Sequence, residues 1–308
     1  MKKVAFIFPG QGSQKKGMGE DFYNNSTLAK ELIDSASSSS GIDFKSLMFE
    51  DNENLSKTEF TQPAILLVSA VVLKLFEEKA NIKPEFVLGH SLGEFSALVA
   101  SKALSLNDAI SLVNKRGKFM QEDCDSIEAG MMVLLGLSDE VVEDACKKAQ
   151  DEGKSVWAAN YNSDGQIVVA GLKPDLQAME SIFKELGAKR AMLLDMSVAS
   201  HCPLLQNASE KLSKELEQVL GEFETDVISN VTAQRYNTKD EAIKLLKEQL
   251  TKPVQYKQSI ANHDNEVDLF IEFGGAVLKG INRKVTKTPT ISVTDMKSLE
   301  SAIEAINS

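Results

Sequence analysis

The chain has 308 residues, of which 43% are apolar and 26% are charged, a balance that is typical of a soluble globular protein and excludes an intrinsically disordered chain. Its net charge of −11 and pI near 5.0 argue against a general nucleic-acid binder, because such proteins usually carry a basic field. The three cysteines, Cys124, Cys146 and Cys202, are odd in number and lack metal-binding spacing, so neither a disulfide nor a zinc site is expected.

The first predicted strand, VAFIF at 4–8, runs into a glycine-rich loop, FPGQGSQKKGMG at 8–19. Nucleotide-binding loops also follow strands, but a Walker loop ends in G-K-[ST], and a dinucleotide fingerprint has a third glycine where Lys15 stands. The apolar run stops at Pro9, which makes it too short for a signal peptide. What remains is a surface turn, or a loop whose glycines let backbone N–H groups approach a ligand closely.

Strand-like runs alternate with helical patterns along most of the chain. Strands are predicted at 4–8, 85–89, 268–273 and 290–293, and helices near 26–37, 63–80, 91–101, 107–123, 204–219 and 239–250. This alternation predicts an α/β domain with a mainly parallel sheet. SASSSSG at 35–41 is interpreted as a polar linker, and AILLVSAVVL at 64–73 is well short of a membrane span.

The stretch 129–195 has a different pattern. Three strand-like runs with a hairpin turn at NSDG, two helical patterns near 138–150 and 174–187, and the final run RAMLL give the order β-α-β-β-α-β. This is the order of a ferredoxin-like module. We therefore expect a discontinuous large α/β domain, residues 1–127 and 197–308, and a small domain at 128–196, with a ligand cleft between them.

The most informative stretch is EFVLGHSLGEFSALVASKAL at 85–104. A strand runs into Gly89-His90-Ser91-Leu92-Gly93 and a helix follows at once, which is the context of a G-x-S-x-G nucleophile elbow. The unpaired N–H groups and the dipole at the start of the helix favour negative charge there. Ser91 is therefore the candidate nucleophile, and the N–H of Leu92 can stabilise an oxyanion; the alternative is a simple turn with an N-capping serine.

A serine nucleophile needs a base, and the chain has only three histidines. His90 is next to Ser91, so its side chain should diverge from the serine. His201 lies where the small domain returns to the large one, and His263 could form a hydrolase triad with Asp264 or Asp268. The residues alone leave these last two open.

Six ordered motifs across the chain resemble the malonyl-CoA:acyl-carrier-protein transacylase family. They are FPGQGSQ at 8–14, GHSLGE at 89–94, KRGKFMQ at 115–121, AANYNSDGQIVVAG at 158–171, SHCPLL at 200–205 and QLTKPVQY at 249–256. The resemblance implies a hydrolase-like α/β domain that carries a ferredoxin-like insert. Two departures are Ala199, where many members have proline, and a turn at 273–280 that looks shortened.

The resemblance also implies site roles. Ser91 would be the nucleophile and His201 the base, with the backbone N–H groups of Gln11 and Leu92 as the oxyanion hole. The main-chain carbonyl of Gln249 would orient His201 in place of an acid, which is physically reasonable because a helix that ends before Pro253 leaves its last carbonyls unpaired.

Substrate contacts are implied as well. Arg116 would hold the malonyl carboxylate by two parallel hydrogen bonds, and Asn160 and Asn162 would contact the thioester or its pantetheine arm, although both could simply be turn residues. Candidates for the CoA phosphates and an acidic carrier protein are Lys189, Arg190, Arg283 and Lys284.

The function predicted is transfer of malonyl from malonyl-CoA to the phosphopantetheine thiol of acyl carrier protein, through a malonyl-serine. No permanently bound cofactor, metal, nucleic acid or membrane is expected, and a cytoplasmic monomer is predicted. The alternatives are a serine esterase or thioesterase that relies on His263, and a nucleotide-binding or scaffold protein, which would leave Ser91, Arg116 and His201 unrelated.

Overall fold

The computed structural model describes residues 2–307, and its ten strands form two sheets. The strands are β1 Val4–Phe8, β2 Val87–Gly89, β3 Ala129–Leu135, β4 Val156–Ser163, β5 Gln166–Leu172, β6 Arg190–Leu193, β7 Val227–Ile228, β8 Arg235–Tyr236, β9 Leu269–Phe273 and β10 Thr290–Val293. The larger sheet has the order β10-β9-β1-β2-β7-β8, and only β8 is antiparallel to its neighbour. The expected mainly parallel sheet is confirmed.

Thirteen α-helices lie within the described residues. They are α1 Glu20–Asn25, α2 Thr27–Ser40, α3 Phe44–Phe49, α4 Thr58–Lys79, α5 Gly93–Ala100, α6 Leu106–Cys124, α7 Asp139–Asp151, α8 Lys173–Glu185, α9 Gln206–Val219, α10 Lys239–Gln249, α11 Tyr256–His263, α12 Leu278–Asn282 and α13 Met296–Asn307. All residues of β1 and β9 are buried, as expected for strands of a parallel sheet that is covered on both faces.

The second sheet contains β3, β4, β5 and β6 in the order β4-β5-β3-β6, and every pair is antiparallel. Helices α7 and α8 fall between its strands, so the chain order is β-α-β-β-α-β, as the sequence predicted. The sheet has its own apolar core, in which Val142 of α7 and Phe183 of α8 are fully buried.

The polar segment 35–41 is not a linker, which corrects the sequence interpretation. Residues 35–40 form the last turns of α2. The hydroxyls of Ser37, Ser38 and Ser40 donate to the carbonyls four residues earlier, at 2.9, 2.9 and 2.7 Å. Serine disfavours helices because its hydroxyl competes for backbone hydrogen bonds, but here the hydroxyls bond to carbonyls of the same helix. The helix ends at Gly41, which has φ 73°.

Helix α4 begins at Thr58, five residues before its predicted start at residue 63, and Pro63 therefore lies inside the helix. Proline has no N–H to donate to the carbonyl four residues earlier, and Asn114 Nδ2 donates to that carbonyl, of Glu59, at 2.7 Å. Within residues 2–307, α4 alone is long and apolar enough to cross a membrane. The sequence analysis considered only the ten residues 64–73, which are shorter than the helix itself. Since 83% of the apolar stretch is buried inside the protein, α4 is a core helix here.

Strand β4 of the smaller sheet pairs with Val254, in the segment between α10 and α11. Val254 N donates to the Ala159 carbonyl at 2.8 Å, and Tyr161 N donates to the Val254 carbonyl at 2.9 Å. Beside this bridge, Lys257 Nζ lies 3.2 Å from the carboxylate of Asp164, in the β4–β5 turn. These bonds hold β4, and Asn160 within it, against the segment that follows α10.

Candidate active site

Ser91 sits at a sharp turn between β2 and α5. It has φ 52°, in the left-handed region that non-glycine residues rarely adopt. A Cβ at Gly89 would lie 1.8 Å from the Gly93 carbonyl carbon, and a Cβ at Gly93 would lie 2.1 Å from the Phe8 carbonyl oxygen. Both flanking glycines are therefore required by close backbone approach, and the turn projects the Ser91 side chain into a cavity.

His201 is buried and forms a hydrogen-bonded chain with Ser91 and Gln249. Its Nδ1 lies 2.6 Å from the main-chain carbonyl oxygen of Gln249, and its Nε2 lies 2.8 Å from Ser91 Oγ. A carbonyl can only accept, so Nδ1 carries the proton and Nε2 is free to accept from the serine hydroxyl. Burial, aided by the charge of Arg116, lowers the pKa of His201 to about 3. The imidazole is therefore neutral at physiological pH, as a general base must be.

Arg116 of α6 is 1% exposed and lines the same cavity as Ser91 and His201. Its Nη1 donates to Gln62 Oε1 at 2.8 Å, and its Nη2 donates to Gln249 Oε1 at 3.1 Å and to Ser91 Oγ at 3.4 Å. Its Nε has no hydrogen-bond partner among the described residues. Burial lowers the pKa of Arg116 to about 9, so the guanidinium remains charged at neutral pH and has a free donor.

The glycine-rich loop lies directly against the elbow. A Cβ at Gly10 would be 2.3 Å from the His90 carbonyl oxygen, so only glycine allows this approach. The backbone N–H groups of Gln11 and Leu92 make no hydrogen bond within residues 2–307, and both residues line the cavity. The Gln11 side chain is occupied elsewhere, since its Nε2 donates to Thr58 Oγ1 at 3.2 Å. The loop thus offers its backbone to the cavity.

Asn160 and Asn162 both lie in β4 and line the cavity, so the interpretation of them as turn residues was wrong. Asn162 Oδ1 lies 2.7 Å from His90 Nε2. The His90 side chain therefore diverges from Ser91, as expected, and it packs 5.3 Å from the Tyr256 ring. Since Asn162 Oδ1 accepts from the His90 N–H, its NH₂ group keeps its two donors for another acceptor.

The four basic residues proposed as a patch are all exposed. Lys284 Nζ lies 3.5 Å from Gln166 Oε1, and Gln166 lines the cavity. Across the small sheet Gln166 pairs with Leu135, which pairs with Arg190, the residue that follows Lys189. Lys284, which follows α12, is therefore linked through Gln166 and Leu135 to Arg190 of the smaller sheet. Lys189 and Arg283 are the chain neighbours of Arg190 and Lys284.

The cavity has a volume of about 180 Å³ and lies between strands β3, β4 and β5 of the smaller sheet and the loops and helices around the larger one. Besides Ser91, His201 and Arg116, its wall contains the apolar side chains of Met120, Met131, Val168, Leu194 and Met196. An apolar wall around a few convergent polar groups is typical of a small-molecule site. Within residues 2–307 no group of three His, Cys, Asp or Glu side chains is arranged to hold a metal.

His263 belongs to a different part of the molecule. Its Nδ1 lies 2.6 Å from Glu266 Oε1, its Nε2 lies 3.2 Å from the Ala233 carbonyl, and its ring packs 5.3 Å from Phe86. It does not pair with Asp264 or Asp268, so the structure does not favour a triad built on it. Cys202 is fully buried, and burial raises the pKa of its thiol to about 12, so it is a packing residue and not a thiolate nucleophile.

Three polar residues of the site were missed. Gln62 accepts from Arg116, and Asn230 Oδ1 accepts from the Ser91 N–H at 2.6 Å. Glu94 accepts from Gln249 Nε2 at 2.7 Å, and its own N–H donates to the Ser91 carbonyl at 3.0 Å. Its position inside the GHSLGE motif was the signal that could have identified it. Nothing in the local pattern around Gln62 or Asn230 points to the site.

The chain matches the acyl transferase domain family over residues 5–300. It is 42% identical over 311 residues to the malonyl CoA-acyl carrier protein transacylase of Bacillus subtilis strain 168, covering 99% of this chain and 98% of that protein. The malonyl-CoA:acyl carrier protein transacylase of Helicobacter pylori has a similar structure, with a TM-score of 0.97, 46% identity and coverage of 100% and 99%. A malonyl-transacylase solved in complex with a type II polyketide acyl-carrier protein superposes with a TM-score of 0.95, at 35% identity and with coverage of 98% and 99%.

Proposed function

This chain belongs to the acyl transferase family, among the malonyl-CoA:acyl-carrier-protein transacylases, and from that premise we propose how its residues perform the transfer. It moves the malonyl group of malonyl-CoA to the phosphopantetheine thiol of acyl carrier protein, the reaction that supplies malonyl units to fatty-acid synthesis. The observation that carries the proposed mechanism is that Ser91 Oγ lies within 2.8 Å of His201 Nε2 and 3.4 Å of Arg116 Nη2.

In the first half-reaction, Ser91 Oγ attacks the thioester carbonyl while His201 Nε2 takes the hydroxyl proton. A C–O bond forms, the C–S bond breaks, and the proton passes to the CoA sulfur. The carbonyl of Gln249, 2.6 Å from Nδ1, stabilises the imidazolium that forms. In the second half-reaction the carrier-protein thiol gives its proton to His201 and its sulfur attacks the malonyl-serine carbonyl. A C–S bond forms, the C–O bond to Ser91 breaks, and His201 Nε2 returns the proton to Ser91 Oγ, 2.8 Å away.

We propose that the unpaired amides of Gln11 and Leu92 form the oxyanion hole. The Leu92 N–H lies at the start of α5, where the helix dipole favours negative charge. One such donor typically contributes on the order of 3 kcal/mol to the transition state. The glycine-rich loop therefore serves acyl transfer and not phosphate binding.

Arg116 is proposed to bind the malonyl carboxylate. Its unpartnered Nε and its burial mean that an acyl group without a carboxylate leaves a buried charge partly unsatisfied, a loss of roughly 3–5 kcal/mol when a buried pair is broken. This discriminates against acetyl by about 10²-fold or more. A malonyl group held by Arg116 also leaves no well-oriented position for an attacking water, so the acyl-serine persists until a thiol attacks it.

The remaining substrate contacts are proposed from position. We propose that Asn160 and Asn162, which line the cavity, contact the thioester or its pantetheine arm. Lys189, Arg190, Arg283 and Lys284 supply positive charge for the CoA phosphates and the acidic carrier protein, which an enzyme of net charge −11 must provide locally.

We infer that the larger unit is hydrolase-like and the smaller one ferredoxin-like, with domain limits of 1–127 with 197–308, and 128–196. The elbow between β2 and α5 supports the first description, and the β4-β5-β3-β6 sheet supports the second. A cytoplasmic monomer with no permanently bound cofactor remains our proposal.

Intact-protein mass spectrometry tests the mechanism. Wild type incubated with malonyl-CoA should gain one malonyl group, and Ser91→Ala should gain none. Ser96→Ala, which changes a buried serine in the helix that follows the elbow, should behave as wild type. The adduct should move to carrier protein bearing its phosphopantetheine arm. An adduct lost to water at the same rate without the carrier would contradict the proposed transfer to carrier protein.

A further inference from the structure

Glu94 is a buried carboxylate that the transfer mechanism above does not use. It lies in the first turn of α5, three residues after Ser91, and is 1% exposed. It does not line the cavity, so it cannot touch the acyl group. A carboxylate in such a place is costly unless it is fully hydrogen-bonded.

Three donors converge on Glu94. Gln249 Nε2 donates to its Oε2 at 2.7 Å, the Asn230 N–H donates to the same oxygen at 3.1 Å, and the Tyr236 hydroxyl donates to Oε1 at 2.9 Å. An ionised carboxylate can only accept. The bond to Gln249 therefore requires the NH₂ end of that amide to face Glu94.

This requirement reaches Arg116. With its NH₂ held by Glu94 at 2.7 Å and by the Ser91 carbonyl at 3.1 Å, Gln249 presents Oε1 to Arg116 Nη2, which donates to it at 3.1 Å. A flipped amide would place an NH₂ group against the guanidinium, donor against donor. We propose that Glu94 is a positioning residue, which fixes the Gln249 amide so that Arg116 is held in place for the malonyl carboxylate.

Glu94 also supports the elbow by a second route. Asn230, whose N–H it accepts, takes the Ser91 N–H on Oδ1 at 2.6 Å and donates Nδ2 to the Gly89 carbonyl at 2.6 Å. Loss of this branch should slow transfer of every acyl group alike. Only the contact through Gln249 reaches Arg116 and so distinguishes malonyl from acetyl. The ratio of kcat/KM for malonyl-CoA to kcat/KM for acetyl-CoA therefore reports on this contact alone.

The inference rests on the proposed function, and the wild-type enzyme tests that first: its kcat/KM for malonyl-CoA should exceed that for acetyl-CoA. Glu94→Gln keeps the shape but makes the acceptor neutral, and the malonyl-to-acetyl ratio should fall about fivefold, the difference between a charged and a neutral hydrogen bond. Glu94→Met removes the acceptor, and the ratio should fall about tenfold or more.

Glu272→Gln is the matched control. Glu272 is another fully buried carboxylate with three donors, from Leu278, Lys279 and Ser292, and it contacts neither Gln249 nor Arg116. Its ratio should equal that of wild type. A ratio that is unchanged in both Glu94 variants would overturn the inference while leaving the transferase function intact.

A measurement on wild type alone covers the case in which the variants do not fold. The titratable groups that face Glu94 are Tyr236 from β8 and Arg116 from α6, and burial raises the pKa of Glu94 to about 7. The malonyl-to-acetyl ratio should therefore fall as the pH drops below 7 and Glu94 takes up a proton. A ratio that is constant across this range would contradict the inference.

Discussion

His201 Nδ1 and the main-chain carbonyl oxygen of Gln249 lie 2.6 Å apart, so a backbone group takes the place that an acid has in a hydrolase triad. The carbonyl lies at the last residue of α10, where helical carbonyls lack intrahelical partners. The same residue uses its side chain to bridge Arg116 and Glu94. The end of α10 therefore contacts both the proposed base, His201, and the arginine proposed to bind the substrate, Arg116.

His201→Ala should slow acylation of Ser91 by about 10²-fold or more, because the hydroxyl loses its base. His263→Ala should leave acylation close to wild type, since His263 bonds only to Glu266 and Ala233. The rate is followed by mass spectrometry of the malonyl adduct. The opposite pattern, with acylation lost only in His263→Ala, would overturn the assignment of the base.

The elbow could be predicted from sequence because its cause is local. Two glycines, one serine and an adjoining strand and helix all lie within 85–104, and the structure has the turn there. His201 could not be chosen by pattern, because its bond to Ser91 joins residues 110 apart in the chain. The family resemblance, not periodicity, singled it out.

The missed residues are those whose role depends only on tertiary packing. Asn230 follows β7, and β7 and β8 have two residues each, too few to produce a strand pattern. Gln62 lies just before Pro63, where the helix was expected to begin, so it fell outside the predicted helix. By contrast α13 did carry a helical signal, since its buried Leu299, Ala302 and Ile306 are spaced for one face, and it was overlooked.

Arg116→Lys should lower kcat/KM for malonyl-CoA by about 10²-fold while acetyl transfer holds or rises. A lysine keeps the charge, but its point-like ammonium cannot reproduce the planar fork that meets Gln62, Gln249 and a carboxylate together. Steady-state kinetics with both CoA esters measures this.

Lys115→Ala is the control for that substitution. Lys115 is the preceding residue and forms a surface ion pair with Glu215 at 2.7 Å, and such pairs contribute little. It should leave the preference for malonyl unchanged. An Arg116→Lys enzyme that still prefers malonyl as strongly as wild type would exclude Arg116 as the carboxylate site.

Gly89→Ala should destabilise the protein by at least ~3 kcal/mol, because the added methyl overlaps the backbone of Gly93 at 1.8 Å and neither backbone can move freely. Gly280→Ala is the matched control: it lies in α12 with nothing within 4 Å of the added Cβ, so it should gain about 0.5–1 kcal/mol from helix propensity. Urea unfolding gives both values. A Gly89→Ala protein as stable as wild type would mean that the elbow is looser than described.

Transfer of acetyl should keep its rate as the pH is lowered from 8 to 5. Burial lowers the pKa of His201 from 6.5 to about 3, and a base whose pKa is lowered stays neutral, and therefore active, until the pH approaches the lowered value. An ordinary histidine would be only about 3% neutral at pH 5, whereas one with the lowered pKa would remain about 99% neutral. Acetyl-CoA is the suitable donor because its transfer does not depend on the contact between Arg116 and the malonyl carboxylate. Protonation of Glu94 then reaches the acetyl rate only through Asn230, and it should change that rate by much less than the roughly thirtyfold loss by pH 5 that titration of an ordinary histidine would cause. The measurement is the single-turnover rate of Ser91 acylation across this range. A rate that halves near pH 6.5 would show that His201 titrates as an exposed imidazole, which is incompatible with its burial and its bond to the Gln249 carbonyl.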